Sequence, residues 1–469
     1  MTEANPRTPA SGPGSQPNGS ASGLDRLSAL VRDGSITSVM LATPNMQGGL
    51  KGKTYGTAHF LNEVAERGTS WCGYLLATDA DMRPLEGFGI ASWDTGYGDM
   101  RFVPDLATLR TPTWMPGTAL VLADPVTGDE QPVAVAPRHI LKRQLEQWER
   151  RGIAASVGLE AEFVLYHGTR KSAARSGYQD LTPLFEGSRD YGLHQSPALR
   201  KYLAALLAAL TGTDLPLEAD KGEGASGQIE ITFAHGEPLH AADQHTLLRH
   251  AAVEIGATHG VLPLFMAAPD TGVGSGLHIH LSLHDSEEQR PLFGSDGTDL
   301  PEAALHVIGG LLTALPVLAP FWAPTVNSYK RLTPGTCAPV NYSWGFDNRT
   351  CAIRVVASGA RRHLEIRLPG ADADPYRALA AVLAAAGYGL DNKVGPPPRV
   401  DGNAVTDTNL PFVPRSLDEA LQLMRISELP GQLFTDEVVE HYALAAHHEV
   451  EVHRVVVSPE ERRREIALQ

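Results

Sequence analysis

Four short segments of this chain alternate apolar and polar residues with period two, and in each the polar side carries ionisable or metal-binding groups. Adjacent side chains of a strand point to opposite faces, so residues two apart share one. In Leu159-Glu-Ala-Glu-Phe-Val-Leu, the residues Leu159, Ala161, Phe163 and Leu165 form one face, and Glu160 with Glu162 the other. In Leu277-His-Ile-His-Leu-Ser-Leu, the polar row is His278, His280 and Ser282. Leu364-Glu-Ile-Arg-Leu pairs Glu365 with Arg367, and Gln228-Ile-Glu-Ile-Thr-Phe sets Glu230 on a polar side.

An amphipathic strand with a solvated outer face gives the same alternation, so no single segment is decisive. Four together point to a shared site. Neighbouring carboxylates repel and raise one another's pKa unless a cation lies between them. Carboxylates with an imidazole and no thiolate suit Mg²⁺ or Mn²⁺ better than structural zinc. A second cluster, Lys330, Arg331, Arg349, Arg354, Arg361, Arg362 and Arg367, is concentrated in an otherwise acidic chain. Guanidinium forks bind carboxylate and phosphate oxygens bidentately, so beside divalent metals they suggest phosphoryl chemistry. A paired-carboxylate glycosidase would explain neither the imidazole strand nor the arginines.

Composition narrows the alternatives. With 42% hydrophobic and 20% charged residues in 469, the bulk of the chain folds as a globular protein of two or three domains. The net charge of −15 is the wrong sign for a nucleic-acid or anionic-lipid partner. Cys72, Cys337 and Cys351 form no C-x-x-C pair, which suits a reducing compartment and a cytoplasmic enzyme. Residues 1–23, rich in Pro, Gly, Ser and Asn, read as a disordered tail without a signal-peptide core. Ala303 to Tyr329 is long and uncharged, but Pro316, Pro320 and Pro324 make it a buried helix and a turn-rich segment instead of a membrane span.

Short apolar runs at Ser38, Trp71 and Thr118 predict a sheet-rich unit over residues 24–135, and residues 136–469 a second domain. Helices are expected from Arg138, over Pro197 to Leu210, His240 to His259 and Asp374 to Leu390. Gly395 to Pro414 reads as an exposed loop, and His441, His447, His448 and His453 as a surface cluster. Gly272-Val-Gly-Ser-Gly276 precedes a strand instead of following one, so it is no dinucleotide fingerprint.

Six ordered motifs resemble the glutamine synthetase family, type I: Gly158-Leu-Glu-Ala-Glu-Phe, Gly222-Glu-Gly-Ala-Ser-Gly-Gln-Ile-Glu230, Gly274-Ser-Gly-Leu-His-Ile-His280, Asn327-Ser-Tyr-Lys-Arg-Leu-Thr-Pro-Gly335, Asn348-Arg-Thr-Cys-Ala-Ile-Arg354 and Leu364-Glu-Ile-Arg367. The resemblance implies an α+β fold, with an N-terminal β-grasp domain, a catalytic domain on a curved antiparallel half-barrel sheet, and a homo-oligomer, a dodecamer with sites between subunits. It implies one Mg²⁺ or Mn²⁺ on Glu162, Glu223 and Glu230, and a second on Glu160, His278 and Glu365. Glu218, His280, Ser282, Arg349 and Arg354 match ATP or phosphate contacts. Arg331 and Arg367 match glutamate and acyl-phosphate contacts, with Arg349 completing the catalytic arginines, and Gly274 belongs to the amino-acid loop. The reaction implied is ATP-dependent: glutamate becomes γ-glutamyl phosphate, and an amine displaces the phosphate.

The match breaks at the amine. Ammonia-using members carry a Glu after the Arg-Leu-x-Pro-Gly segment, where this chain has Thr336 and Cys337. An Asp expected from the neighbouring β-grasp domain has only Asp79 and Asp81 as candidates, and the Asn before the loop glycine is Val273. Ammonium entering a closed site needs acceptors that a neutral thiol supplies poorly. The pattern therefore predicts a ligase for a small organic amine such as ethanolamine or a polyamine. An ammonia-using glutamine synthetase and a catalytically silent scaffold or sensor remain as alternatives.

Overall fold

The computed structural model describes residues 19–215, 217–294, 299–356 and 361–468. Most of the expected tail lies outside these residues, but a helix already runs over Gly19–Arg32, starting before Leu24.

The first five strands, β1 (Ser38–Pro44), β2 (Leu50–Gly56), β3 (Thr69–Cys72), β4 (Asp99–Arg110) and β5 (Thr118–Val126), form one sheet in the order β2-β1-β5-β4-β3. Only the β1–β5 pair is parallel. The apolar run expected at Trp71 is a strand only as far as Cys72, and a 3₁₀ turn takes over at Gly73–Leu76. Period two explains how β5 is buried on both faces: Ala119, Val121 and Ala123 join a small core with Leu27 and Phe60, while Leu120 and Leu122 enter the large core of the rest of the chain. The N-terminal sheet is therefore packed onto the larger part of the chain through β5.

The second sheet contains β6 (Ile153–His167), β7 (Leu217–Gly222), β8 (Gln228–Phe233), β9 (Val261–Leu264), β10 (Leu277–Asp285), β11 (Trp344–Phe346), β12 (Ile353–Val356) and β13 (His363–Ile366). Its order is β11-β12-β13-β10-β6-β8-β7, with β9 also on β6. It is mixed, not antiparallel throughout as expected, because β11 and β12 run parallel. The six residues between them fold back sharply, with Asp347 at φ 45° and the Asn348 side chain accepting from Thr350 N–H. Leu159, Phe163, Ile231, Ile279, Leu281 and Leu364 are buried on the apolar face of this sheet.

The helices Pro137–Arg150 and Pro238–His259 contact β6, and Pro375–Asn392 packs against both. Each starts with Pro in its first turn, where the missing N–H costs nothing. Asp374 caps the last by accepting from Arg377 N–H, and Ser196 caps the helix Pro197–Thr211 in the same way. Arg138 ties the first sheet to the helices that contact the second. Its buried guanidinium, 2% exposed, donates to Asp105 of β4, Asp124 of β5 and Asp243 of the helix Pro238–His259. The expected membrane-like stretch is the buried helix Glu302–Ala314 followed by short turns, and no helix among the described residues is long and apolar enough to cross a membrane. His441 departs from the expected surface cluster: its ring lies 4.6 Å from Phe88 in the core, and burial lowers its pKa to about 3.

Candidate metal and substrate site

Strand register brings the expected carboxylates into rows. His278 lies opposite Glu160, Glu162 opposite Glu230, and Glu365 opposite both His280 and Arg354. Because every pair obeys the same alternation, one face of the sheet collects them all. Two groups of donors result: Glu160, His278 and Glu365, and beside them Glu162, Glu223 and Glu230, each with ligand atoms within 4.8 Å of one another. His278 Nδ1 is 3.0 Å from Glu160 Oε2 and 3.6 Å from Glu365 Oε1, and its Nε2 is 3.8 Å from Glu162 Oε1.

These spacings fit divalent ions. Neighbouring ligands of an octahedral ion bound at about 2.1 Å stand about 3 Å apart. The electrostatics agree, since burial and then the charges of Glu160, Glu162 and Glu223, opposed by Lys221, push the Glu230 carboxyl up to about 8. A group held neutral by its neighbours is one that a cation would ionise. In the first group, burial works to raise Glu365, but His278, Arg367, His280 and Arg354 overcome it and hold its pKa at about 2. Glu160 is likewise held well below the carboxylate range: the penalty of burial is overcome by His278 and His280.

Basic side chains border the clusters. Arg354 donates to Glu365 at 2.8 Å and also pairs with Asp347. Arg367 pairs with Glu365 and donates to the Cys337 carbonyl at 3.4 Å, while its buried Nε has no acceptor. Arg331 is buried and anchored on the carbonyls of Leu368 and Arg367, with one nitrogen 3.4 Å from His278 Nε2. Burial lowers its pKa to about 10, where it still carries its charge at neutral pH.

A cleft of about 190 Å³ opens between the second cluster and these arginines, lined by Glu162, Glu223, Val273, Gly274, Cys337 and Arg367. Gly274 has no substitute there, because a Cβ would stand 2.6 Å from the Thr336 carbonyl oxygen. A larger cavity of about 830 Å³, around Arg110 and His240, contains none of the expected site residues, so chemistry and not size identifies the cleft.

Other expected residues lie further out. Ser282 follows His280 on the same face of β10, opposite Ser156, while Glu218 on β7 and Arg349 in the loop after β11 are exposed. Asp79 caps its own turn by accepting from the N–H groups of Asp81 and Arg83. Two residues join the site unannounced. Lys221 contacts Glu223 and lies directly opposite Glu230. His363 Nε2 is 2.9 Å from His280 Nδ1, and its Nδ1 is 2.8 Å from the Arg361 carbonyl oxygen. Both stand two residues from a predicted ligand, Glu223 and Glu365 respectively, and that spacing was the available signal.

A half-barrel sheet with helices behind it and paired donor clusters before it defines a class of enzyme suited to holding anionic substrates on divalent ions. The chain belongs to the glutamine synthetase family: the model of the glutamine synthetase catalytic domain matches residues 134–465. It is 41% identical over 442 residues to a γ-glutamylethanolamide synthetase of Streptomyces coelicolor, covering 94% of this chain and 95% of that one. It is 32% identical over 414 residues to a glutamate–isopropylamine ligase of Pseudomonas, covering 87% and 90%. Among solved structures, a GmaS–ADP complex shares the fold at a TM-score of 0.81 and 23% identity, over 94% of this chain and 99% of that one. The protein is an enzyme, a ligase of this family.

Proposed function

We propose that this ligase joins the γ-carboxylate of glutamate to a small organic amine, ethanolamine or a polyamine, at the expense of ATP. The relatives named for ethanolamide and isopropylamine ligation support the reaction class. The observation that carries the choice of amine is Cys337. An exposed thiol lines the cleft where the family resemblance calls for a carboxylate, with Val273 nearby. A neutral thiol and an apolar side chain at these two positions offer ammonium little in return for its lost hydration but accept a carbon substituent on the nitrogen.

Glu162, Glu223 and Glu230 would hold one Mg²⁺ or Mn²⁺, and Glu160, His278 and Glu365 the second. Bound there, the ions would polarise phosphoryl oxygens and neutralise charge. Arg331 and Arg367 would grip the glutamate carboxylate and the γ-glutamyl phosphate, with the free Nε of Arg367 as a donor. His280, Ser282, Arg349 and Arg354 would contact the phosphates and Glu218 the nucleotide, while the Gly274 loop would hold the amino acid. Donors fixed before the reaction stabilise charge as it develops.

We read residues 24–135 as the β-grasp domain, residues 136–469 as the catalytic domain, and the assembly as a dodecamer. The free thiols of Cys72, Cys337 and Cys351 support a cytoplasmic setting. Phosphate release from ATP and glutamate with ethanolamine, a polyamine, isopropylamine and ammonia tests the assignment. An organic amine should exceed ammonia in kcat/KM. Turnover with ammonia alone would overturn the amine assignment in favour of a glutamine synthetase, and no turnover with any amine would favour a silent scaffold.

A further inference from the structure

Lys221 stands inside the second carboxylate cluster. The β7–β8 register sets it opposite Glu230, and its Nζ contacts Glu223 and lies 3.8 Å from Glu230 Oε2. The third carboxylate is held differently, since Glu162 Oε2 accepts from Gly276 N–H at 2.7 Å and from Gln228 Nε2 at 3.2 Å. Neutral donors thus fix Glu162, while Glu223 and Glu230 share a lysine. The same ammonium has a second seat, with Asp190 Oδ1 3.4 Å away and the Tyr191 ring centroid 4.9 Å away. That seat is docked on the site by the Arg189 N–H, which donates to the Glu223 carbonyl at 3.0 Å.

We propose that Lys221 is the resident counter-cation of the Glu162–Glu223–Glu230 cluster, that a divalent ion must displace it toward Asp190 and Tyr191, and that this exchange sets the affinity of the metal held by that cluster. The proposal rests on the reading of the cluster as a metal site. Three carboxylates this close need positive charge to coexist, and a lysine supplies one charge. An arriving divalent ion then meets both a competitor for Glu223 and Glu230 and a like charge beside it. Lysine suits two seats, being a compact charge on a flexible stem, whereas a guanidinium would be held by its fixed fork. Asp190 receives the displaced ammonium, so the charge is not left unpaired.

Calorimetric titration of the full chain with Mn²⁺ tests the exchange without any turnover. Lys221→Met should bind the Mn²⁺ of the Glu162–Glu223–Glu230 cluster about tenfold more tightly than wild type. In EDTA it should melt at a lower temperature, because its carboxylates have lost their cation. Asp190→Asn should move the other way and weaken the same Mn²⁺ several-fold, since the displaced ammonium loses its alternative partner. Lys221→Gln repeats the first measurement should the Met variant fail to fold. Unchanged or weaker Mn²⁺ binding in the Lys221 variants, or unchanged binding in Asp190→Asn, overturns the exchange while leaving the metal site standing. Absence of Mn²⁺ uptake by wild type overturns the metal reading and the exchange together.

Discussion

Glu162 of β6 and Glu230 of β8 are direct cross-strand partners, with Lys221 of β7 next in the same row. Like charges opposed across an antiparallel pair destabilise it, and here the pair is also buried. The sheet therefore carries a local conflict that a cation bound there would relieve, and binding of a metal would be coupled to loss of a proton.

The pH dependence follows from Glu230. Its folded, metal-free pKa of about 8 exceeds the ordinary 4.5 because of burial and the neighbouring carboxylates. Between those values the folded chain binds a proton that the unfolded chain has released. The contribution of this group to stability is thus full below pH 4.5 and is lost as pH rises through 8. A metal displaces that proton, so its affinity should rise by up to about tenfold per pH unit and level off above 8. Melting curves with and without Mn²⁺ across this range should diverge as pH rises; a metal-induced shift that stays constant refutes the coupling.

Replacing the carboxylate should separate stability from function. Glu230→Gln removes the repulsion with Glu162 while keeping the shape of the side chain, so above pH 8, where Glu230 is ionised, the metal-free protein should melt higher than wild type. Stabilisation by Mn²⁺ should shrink, and turnover should fall roughly a hundredfold or more, as when a charge-stabilising group is lost. A variant that melts lower in EDTA yet keeps full turnover would show that Glu230 serves packing instead.

The site was legible where its chemistry followed backbone period. Glu160 and Glu162, His278 and His280, and Glu365 and Arg367 stand two apart on strands whose other face is apolar, so sequence alone set them side by side. Helix starts were legible at Ser196-Pro197 and Asp374-Pro375, where cap and first-turn proline coincide. Lys221 was missed because β7 is largely exposed and its sequence lacks an apolar face. His363 lay one residue before the apolar run that marked β13. The parallel β11–β12 pair and the partners of Arg138 depend on contacts between distant segments, which local pattern does not encode.

Arg138 is the clearest stability determinant outside the site. Its forks satisfy Asp124 and Asp243, and Asp243 also accepts from the Tyr376 hydroxyl at 2.8 Å. Arg138→Met would leave Asp243 with an uncompensated charge and Asp124 with Lys142 as its remaining cation, a loss of about 3 to 5 kcal/mol for a broken buried pair. Chemical denaturation should show this loss. Arg138→Lys should recover only part of it, because a single ammonium cannot reproduce bidentate contacts to several carboxylates. A loss below about 1 kcal/mol, the range of a surface pair, would mean the network is not buried in solution.

Cys337 offers the most direct test of amine choice. Its backbone already holds φ at 60° with a non-glycine residue, and its contact with Arg367 uses the carbonyl oxygen, so a change of side chain disturbs neither. Cys337→Glu places a carboxylate in the cleft beside Glu162 and Glu223. That group would supply an anionic partner for ammonium and occupy room otherwise open to a carbon substituent. The ratio of kcat/KM for ammonia to that for the preferred organic amine should rise by about tenfold or more, the effect of roughly 1.4 kcal/mol. Cys337→Ser, equally small and neutral, should leave the ratio near wild type. If Glu and Ser variants give the same ratio, charge at this position does not select the amine, and discrimination must come from other walls of the cleft, beginning with Val273.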